Sequence, residues 1–158
     1  MKTIHDWFSE YGESHQNKTN KIIHWICIPL IFWSIISLLS LIPQEIISIG
    51  SNYNFIHWGT VVIFFGLFFY FSLSFKIFLG MFLFSLDVIF SVYIMSMLFG
   101  EEKLMYLSIF IFIFSWTLQF IGHKIEGKKP SFIKDLQFLL IGPAWLLGDI
   151  YRKIGIKY

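Results

Sequence analysis

The sequence predicts an all-α membrane protein: four transmembrane helices, an N-terminal interfacial helix and a C-terminal re-entrant or interfacial helix. All of it forms a single domain over residues 1–158. Three observations predict this. Hydrophobic residues make up 56% of the 158 and aromatic ones 21%, while only 14% are charged; soluble domains run near one quarter charged. The apolar residues gather in four runs, at 22–42, 55–75, 77–99 and 104–122, each close to the roughly 20 residues that cross the hydrocarbon layer. The charges between the runs are sided. A soluble core of this length cannot hide 20 Phe and 6 Trp, whereas lipid can accept them.

The first element, residues 2–15, is short and amphipathic. Ile4, Trp7, Phe8 and Tyr11 recur at helical spacing, with Asp6, Glu10 and Glu13 between them. Thr3 is the expected N-cap, and Asp6 lies in the first turn. A face bearing Trp and Phe suits the lipid–water boundary; packing of that face on the bundle is the alternative. Tyr11 and His15, four residues apart, share a face. Gly12 and the polar stretch 16–21 break the pattern, and Asn20 is the expected N-cap of the first span. His24 lies one turn into that span. Pro29 lies farther in, where its missing N–H should kink the helix or close its first turns.

Residues 43–54 read as a polar loop. The second and third spans meet at Lys76, so a tight turn is expected there. Gly100, Glu101, Glu102 and Lys103 form the next loop, and the fourth span ends at His123. A basic loop follows, with Lys124, Lys128, Lys129 and Lys134. The last apolar stretch, 136–150, is only about 22 Å long as a helix, too short to cross comfortably. Gly142, Pro143 and Gly148 interrupt it. The single cysteine, Cys27, excludes an intramolecular disulfide and reads as a small buried residue.

With the N-terminus in the cytoplasm, eleven of the twelve Lys and Arg face the cytoplasm and only Lys103 faces away. Both termini are then cytoplasmic, and the expected membrane is a bacterial inner membrane or the endoplasmic reticulum. A net charge of +2 does not suggest a nucleic-acid partner. The same topology sorts the five histidines. His15, His24 and His123 fall at the cytoplasmic face. His57 begins the second span at the opposite face, roughly 30 Å away. His5 is on the cytoplasmic side but lies back on the first helix.

His15 and His24 are nine residues apart and would point in opposite directions on one continuous helix. They converge only if the chain bends between them, and 16–20 supplies the bend. His123 is joined by Gln119 one turn earlier on the same face and by Glu126 three residues later. His-x-x-Glu at helical spacing can bring nitrogen and carboxylate oxygen to one metal, as mirrored pairs do in di-iron bundles. Imidazole with carboxylate suits iron, zinc or manganese. The lysines after His123 suit an anionic head group or a substrate carboxylate, or serve only to set topology. Asp87, near the middle of the third span, is either a functional carboxylate or an acid hydrogen-bonded inside the bundle.

Two stretches of these residues carry a resemblance. One is Tyr11-x3-His15-x4-Asn20-x3-His24 followed by Ile28, Pro29 and Leu30. The other is Trp116, then Gln119-Phe120-Ile121-Gly122-His123, Glu126-Gly127-Lys128 and Pro130. Over 11–30 and 116–132 the chain resembles the membrane 2-hydroxy fatty acid dioxygenase family, linked to α-oxidation of 2-hydroxy acids released from phytosphingosine. Pro143 followed by Asp149 resembles a family pattern that more often ends in Glu. The resemblance implies an Fe(II)-dependent enzyme that uses dioxygen to shorten 2-hydroxy fatty acids by one carbon. It implies His15, His24 and His123 as catalytic and metal-ligating residues, and the His-x-x-Glu spacing adds Glu126 to that set. Lys124, Lys128 and Tyr11 are then assigned to the substrate, and Asn20 and Gln119 to orienting the imidazoles. Membrane lipid is the remaining expected partner.

Rival readings are fewer in their support. A di-iron desaturase or hydroxylase clusters its many histidines in boxes, and the five here are dispersed. A non-enzymatic lipid-binding or assembly protein would use histidine and lysine only for head groups. A metal-dependent lipid hydrolase could use the same site. Iron content and oxygen consumption separate these.

Overall fold

The computed structural model describes residues 2–43, 56–127 and 132–158, the side chains of 132–137 excepted. Among the described residues the protein is all helical: α1 (Ile4–Gly12), α2 (Lys18–Ser40), α3 (Trp58–Leu73), α4 (Phe75–Phe99), α5 (Glu101–Glu126) and α6 (Phe132–Lys153). Three of them, α2, α4 and α5, are long and apolar enough to cross a membrane.

The expected second span is shorter than its apolar run. α3 has 16 residues, about 24 Å of helix. It stops because Ser74 adopts extended backbone (φ −163°, ψ 126°) and its hydroxyl accepts from the Ile77 amide, capping α4. A small polar side chain therefore makes the tight turn, two residues before Lys76. The expected loop at 43–54 lies, from residue 44 on, outside the described residues.

α1 begins as its sequence dictates. Thr3 and Asp6 form a reciprocal capping box. Its apolar face does not remain open for the lipid surface: Ile4, Phe8 and Tyr11 are buried in a cluster with Ile28 of α2, Met81 of α4 and Trp145 of α6. α2 starts earlier than expected. Asn17, not Asn20, is the N-cap, accepting from the Thr19 and Asn20 amides. Asn20 is freed for the bundle interior and is fully buried. The helix continues past Pro29 to Ser40.

α6 departs furthest from expectation. It is one helix of 22 residues with Pro143 inside it, not a broken stretch of fifteen. Its glycines are contact points. A Cβ on Gly142 would lie 3.2 Å from Ile28 Cδ1 and 3.3 Å from the Tyr11 hydroxyl, and one on Gly148 would run into Phe8. The missing side chains let α1 and α2 settle on α6. The Tyr70 hydroxyl of α3 donates to the Leu140 carbonyl at 2.6 Å.

α2 and α5 are the most extensively packed pair, and their seam is made of small and polar residues. The Ser37 and Ser108 hydroxyls meet at 2.7 Å. Farther along, Gly122 faces the Asn20 side-chain oxygen so closely that a Cβ would collide with it. Outward faces are the reverse: Phe65, Phe68 and Phe110 are each about two-thirds exposed. Polar seams inside and phenyl rings outside suit a bundle whose solvent is lipid.

Gly122→Ala is therefore an overpacking test. It should destabilise the purified protein by about 1–3 kcal/mol in a reversible denaturation series. Stability equal to the native chain's would contradict the close approach of α5 to Asn20.

Candidate metal centre

Three separate segments deliver one imidazole each. His15 sits where the chain turns between α1 and α2, its amide donating to the Gly12 carbonyl at 3.0 Å. His24 follows Asn20 by one turn on α2. His123 lies in the last turn of α5. All three are buried, at 2%, 1% and 8% exposure. Their ring centroids lie 4.3 Å (His15–His24), 5.4 Å (His15–His123) and 4.9 Å (His24–His123) apart. One nitrogen from each falls within 4.8 Å of the other two. The bend expected between His15 and His24 is present, and it brings residues nine apart into ring contact.

Hydrogen bonds fix how two of these rings present themselves. His15 Nδ1 lies 2.6 Å from the Tyr11 carbonyl, and His24 Nδ1 lies 2.9 Å from the Asn20 carbonyl. A carbonyl only accepts, so each Nδ1 carries the proton and each Nε2 keeps its lone pair. His15 Nε2 is buried with no hydrogen-bond partner. Burial pushes the His15 imidazole down to about 4, with the nearby His123 acting in the same direction and the Tyr11 carbonyl opposing it. The ring is therefore neutral at neutral pH, the state a metal ligand needs. The Tyr11 ring stacks on His15 at 4.1 Å and 9°, which sets the plane of the imidazole.

Glu126 has other partners than the metal role gave it. Its Oε1 accepts from the Gln16 amide at 2.7 Å; its Oε2 accepts from the Asn17 amide at 2.9 Å and from Asn20 Nδ2 at 3.0 Å. Asn20 Nδ2 also donates to the Ser14 carbonyl at 3.1 Å. The carboxylate thus ties the turn bearing His15 to the end of α5 bearing His123. The metal-type group among the described residues contains the three histidines.

The remaining predicted residues divide. Tyr11 and Gln119 line a cavity of about 40 Å³ that the three imidazoles share with Ile28, Ile31, Trp116, Phe120, Phe138, Leu139 and Pro143. This is room for about three water-sized groups. Asn20 holds both the His24 ring and Glu126. Lys124 is exposed on the last turn of α5, and Lys128 lies outside the described residues. His5 stacks on Tyr158 instead. His57 is the N-cap of α3 and lies beside Gly59, which approaches the Ile36 carbonyl. Ile36 is about 18 Å along α2 from His24. The Gln16 and Asn17 amides had no signal as site components, because a backbone donor is invisible in side-chain patterns. The part played by α6 was hidden behind its apparent breaks; Pro143 was its one marker.

The fold and this pocket define a helical protein, compatible with a membrane, that carries a buried group of three imidazoles able to hold a metal ion. The family model described as 2-hydroxy-palmitic acid dioxygenase Mpo1-like matches residues 1–154, and the chain belongs to that Mpo1-like family. No curated protein and no solved structure matches the chain.

Glu126→Ala should release the turn. Loss of about 1–2 kcal/mol of stability is expected, with faster hydrogen exchange at the Gln16 and Asn17 amides. Unchanged exchange at both amides would contradict the clamp.

Proposed function

We propose that this chain is an Fe(II)-dependent dioxygenase that converts 2-hydroxy fatty acids to fatty acids one carbon shorter. The observation that carries the reading is the convergence of His15, His24 and His123 within one buried pocket, in a chain whose family bears the name of a 2-hydroxy-palmitic acid dioxygenase. Neutral imidazoles suit Fe(II). The backbone carbonyls behind His15 and His24 support the assignment, since ligating histidines are normally anchored through their second nitrogen. His15, His24 and His123 would each offer one ring nitrogen to such an ion.

Fe(II) held there supplies the electron transfer to dioxygen that organic side chains cannot. The chain's own residues do the rest. Tyr11 fixes the His15 ring plane, Asn20 anchors His24, and Glu126 keeps the His15 turn closed on α5 instead of serving as a fourth ligand. Lys124, with Lys128 four residues farther along the sequence, attracts the substrate carboxylate to the cytoplasmic face. Ile28, Ile31, Trp116 and Phe120 exclude water from the reacting end and receive the first carbons of the acyl chain, whose remainder lies in the bilayer. With carbon dioxide and water as co-products the reaction balances: the C1–C2 bond breaks, and the hydroxy acid yields all four electrons that dioxygen takes up. No separate reductant is needed. Four crossings with both termini cytoplasmic, in a bacterial inner membrane or the endoplasmic reticulum, complete the proposal; eleven cytoplasmic cations against Lys103 support that orientation.

Purified protein given Fe(II), 2-hydroxypalmitate and dioxygen should form pentadecanoate, with oxygen uptake matching product. His15→Ala, His24→Ala and His123→Ala should each abolish product while helical content is kept, and His5→Ala should not. Full activity in all three pocket variants would overturn the site. Product without oxygen uptake would favour a hydrolase instead, and absence of both iron and product a lipid-binding protein.

A further inference from the structure

Asp87 was expected to be either a functional carboxylate or an acid hydrogen-bonded inside the bundle; the structure turns it outward. It stands at the midpoint of α4, twelve residues from either end, so about 18 Å of helix separates it from each membrane surface. The inner face of α4 is already satisfied: Ile77, Met81, Val88 and Val92 are buried against the rest of the chain. Asp87 lies on the outer face beside Leu83 (59% exposed) and Phe90 (61% exposed). No hydrogen bond or ion pair joins it to another described residue.

Hydrocarbon offers a carboxyl group nothing to bond, so leaving it against lipid tails is costly in either protonation state. The flanking sequence shows what relieves that cost. Leu83, Asp87, Phe90, Ile94 and Met97 follow one another at intervals of four, three, four and three residues. That 3.5-residue recurrence is the seam by which one helix packs along another. A single polar residue on such a seam fixes register.

We infer that this face of α4 is a homodimer interface, in which the Asp87 side chain hydrogen-bonds to the Asp87 side chain of a second copy. The second copy is the occupant the chemistry favours. A two-fold axis sets identical residues opposite each other at the same depth, so no depth matching is required. A carboxyl group offers one O–H to give and a carbonyl oxygen to accept, so two of them can satisfy each other. An unrelated partner would need its own donor at the membrane centre. This reading is independent of the metal centre, which α4 does not help to line.

The test uses the full chain, labelled separately with donor and acceptor dyes and co-reconstituted in phosphatidylcholine vesicles. Native protein should show energy transfer that falls as lipid is added, giving a dimer constant. Asp87→Leu should weaken the dimer between about threefold and thirtyfold. Asp87→Asn, which also donates and accepts, should keep it. Phe90→Cys should form a disulfide-linked dimer on mild oxidation, while Phe110→Cys on the outward face of α5 and native protein with only buried Cys27 should not. Energy transfer no greater than that between non-interacting membrane proteins would overturn the inference. So would an Asp87→Leu dimer as tight as native, or cross-linking at Phe110 in place of Phe90.

Discussion

Asn20 is the residue on which the rest depends. Its backbone carbonyl anchors the His24 ring, and its side-chain nitrogen bridges the Ser14 carbonyl and the Glu126 carboxylate. Its side-chain oxygen lies against Gly122, one residue before His123. One buried amide therefore touches all three segments that carry an imidazole. The arrangement is demanding because the Asn20 side-chain oxygen is buried without a hydrogen-bond partner among the described residues, which is costly, and because α5 can come this close only where it has no Cβ. It follows that the three histidines need no direct bond to one another; each is placed by backbone that Asn20 and Glu126 hold together.

The distribution of polarity explains how such a centre survives in so apolar a chain. Ser34, Ser37, Ser108, Ser115, Asn20 and the histidines are buried, while phenylalanines cover the outside. In lipid, apolar surface gains nothing by turning inward, and helices associate through close packing and hydrogen bonds. The interior is thus the natural place for the residues that could carry chemistry. α1 and α6 close the pocket from the end of the bundle, and Tyr11 and Phe138 meet edge to face there at 5.2 Å.

Local patterns revealed much of this and tertiary contacts the remainder. The capping box at Thr3, the long apolar helices and the sorting of His15, His24 and His123 from His57 all follow from spacing and charge, which are properties of the chain alone. The cap of α2 was misplaced by three residues because Asn17 and Asn20 are chemically equivalent as caps; only burial against Gly122 tells them apart. Gly142, Pro143 and Gly148 looked like breaks, yet two of them are places where α1 and α2 press on α6. Glu126 had the spacing of a ligand, and the donors that occupy it are the Gln16 and Asn17 amides and the Asn20 side chain, far earlier in the chain. Asp87 showed its depth in the sequence but not its direction, since direction depends on which face of α4 the other helices cover.

The proposed chemistry requires three imidazoles around one metal ion. X-ray absorption at the iron edge, on protein loaded anaerobically with Fe(II), measures that directly. The expected result is the multiple-scattering signature of about three imidazoles, lost when His15, His24 and His123 are replaced together. An iron shell of oxygen alone, or one unchanged by that replacement, would contradict it.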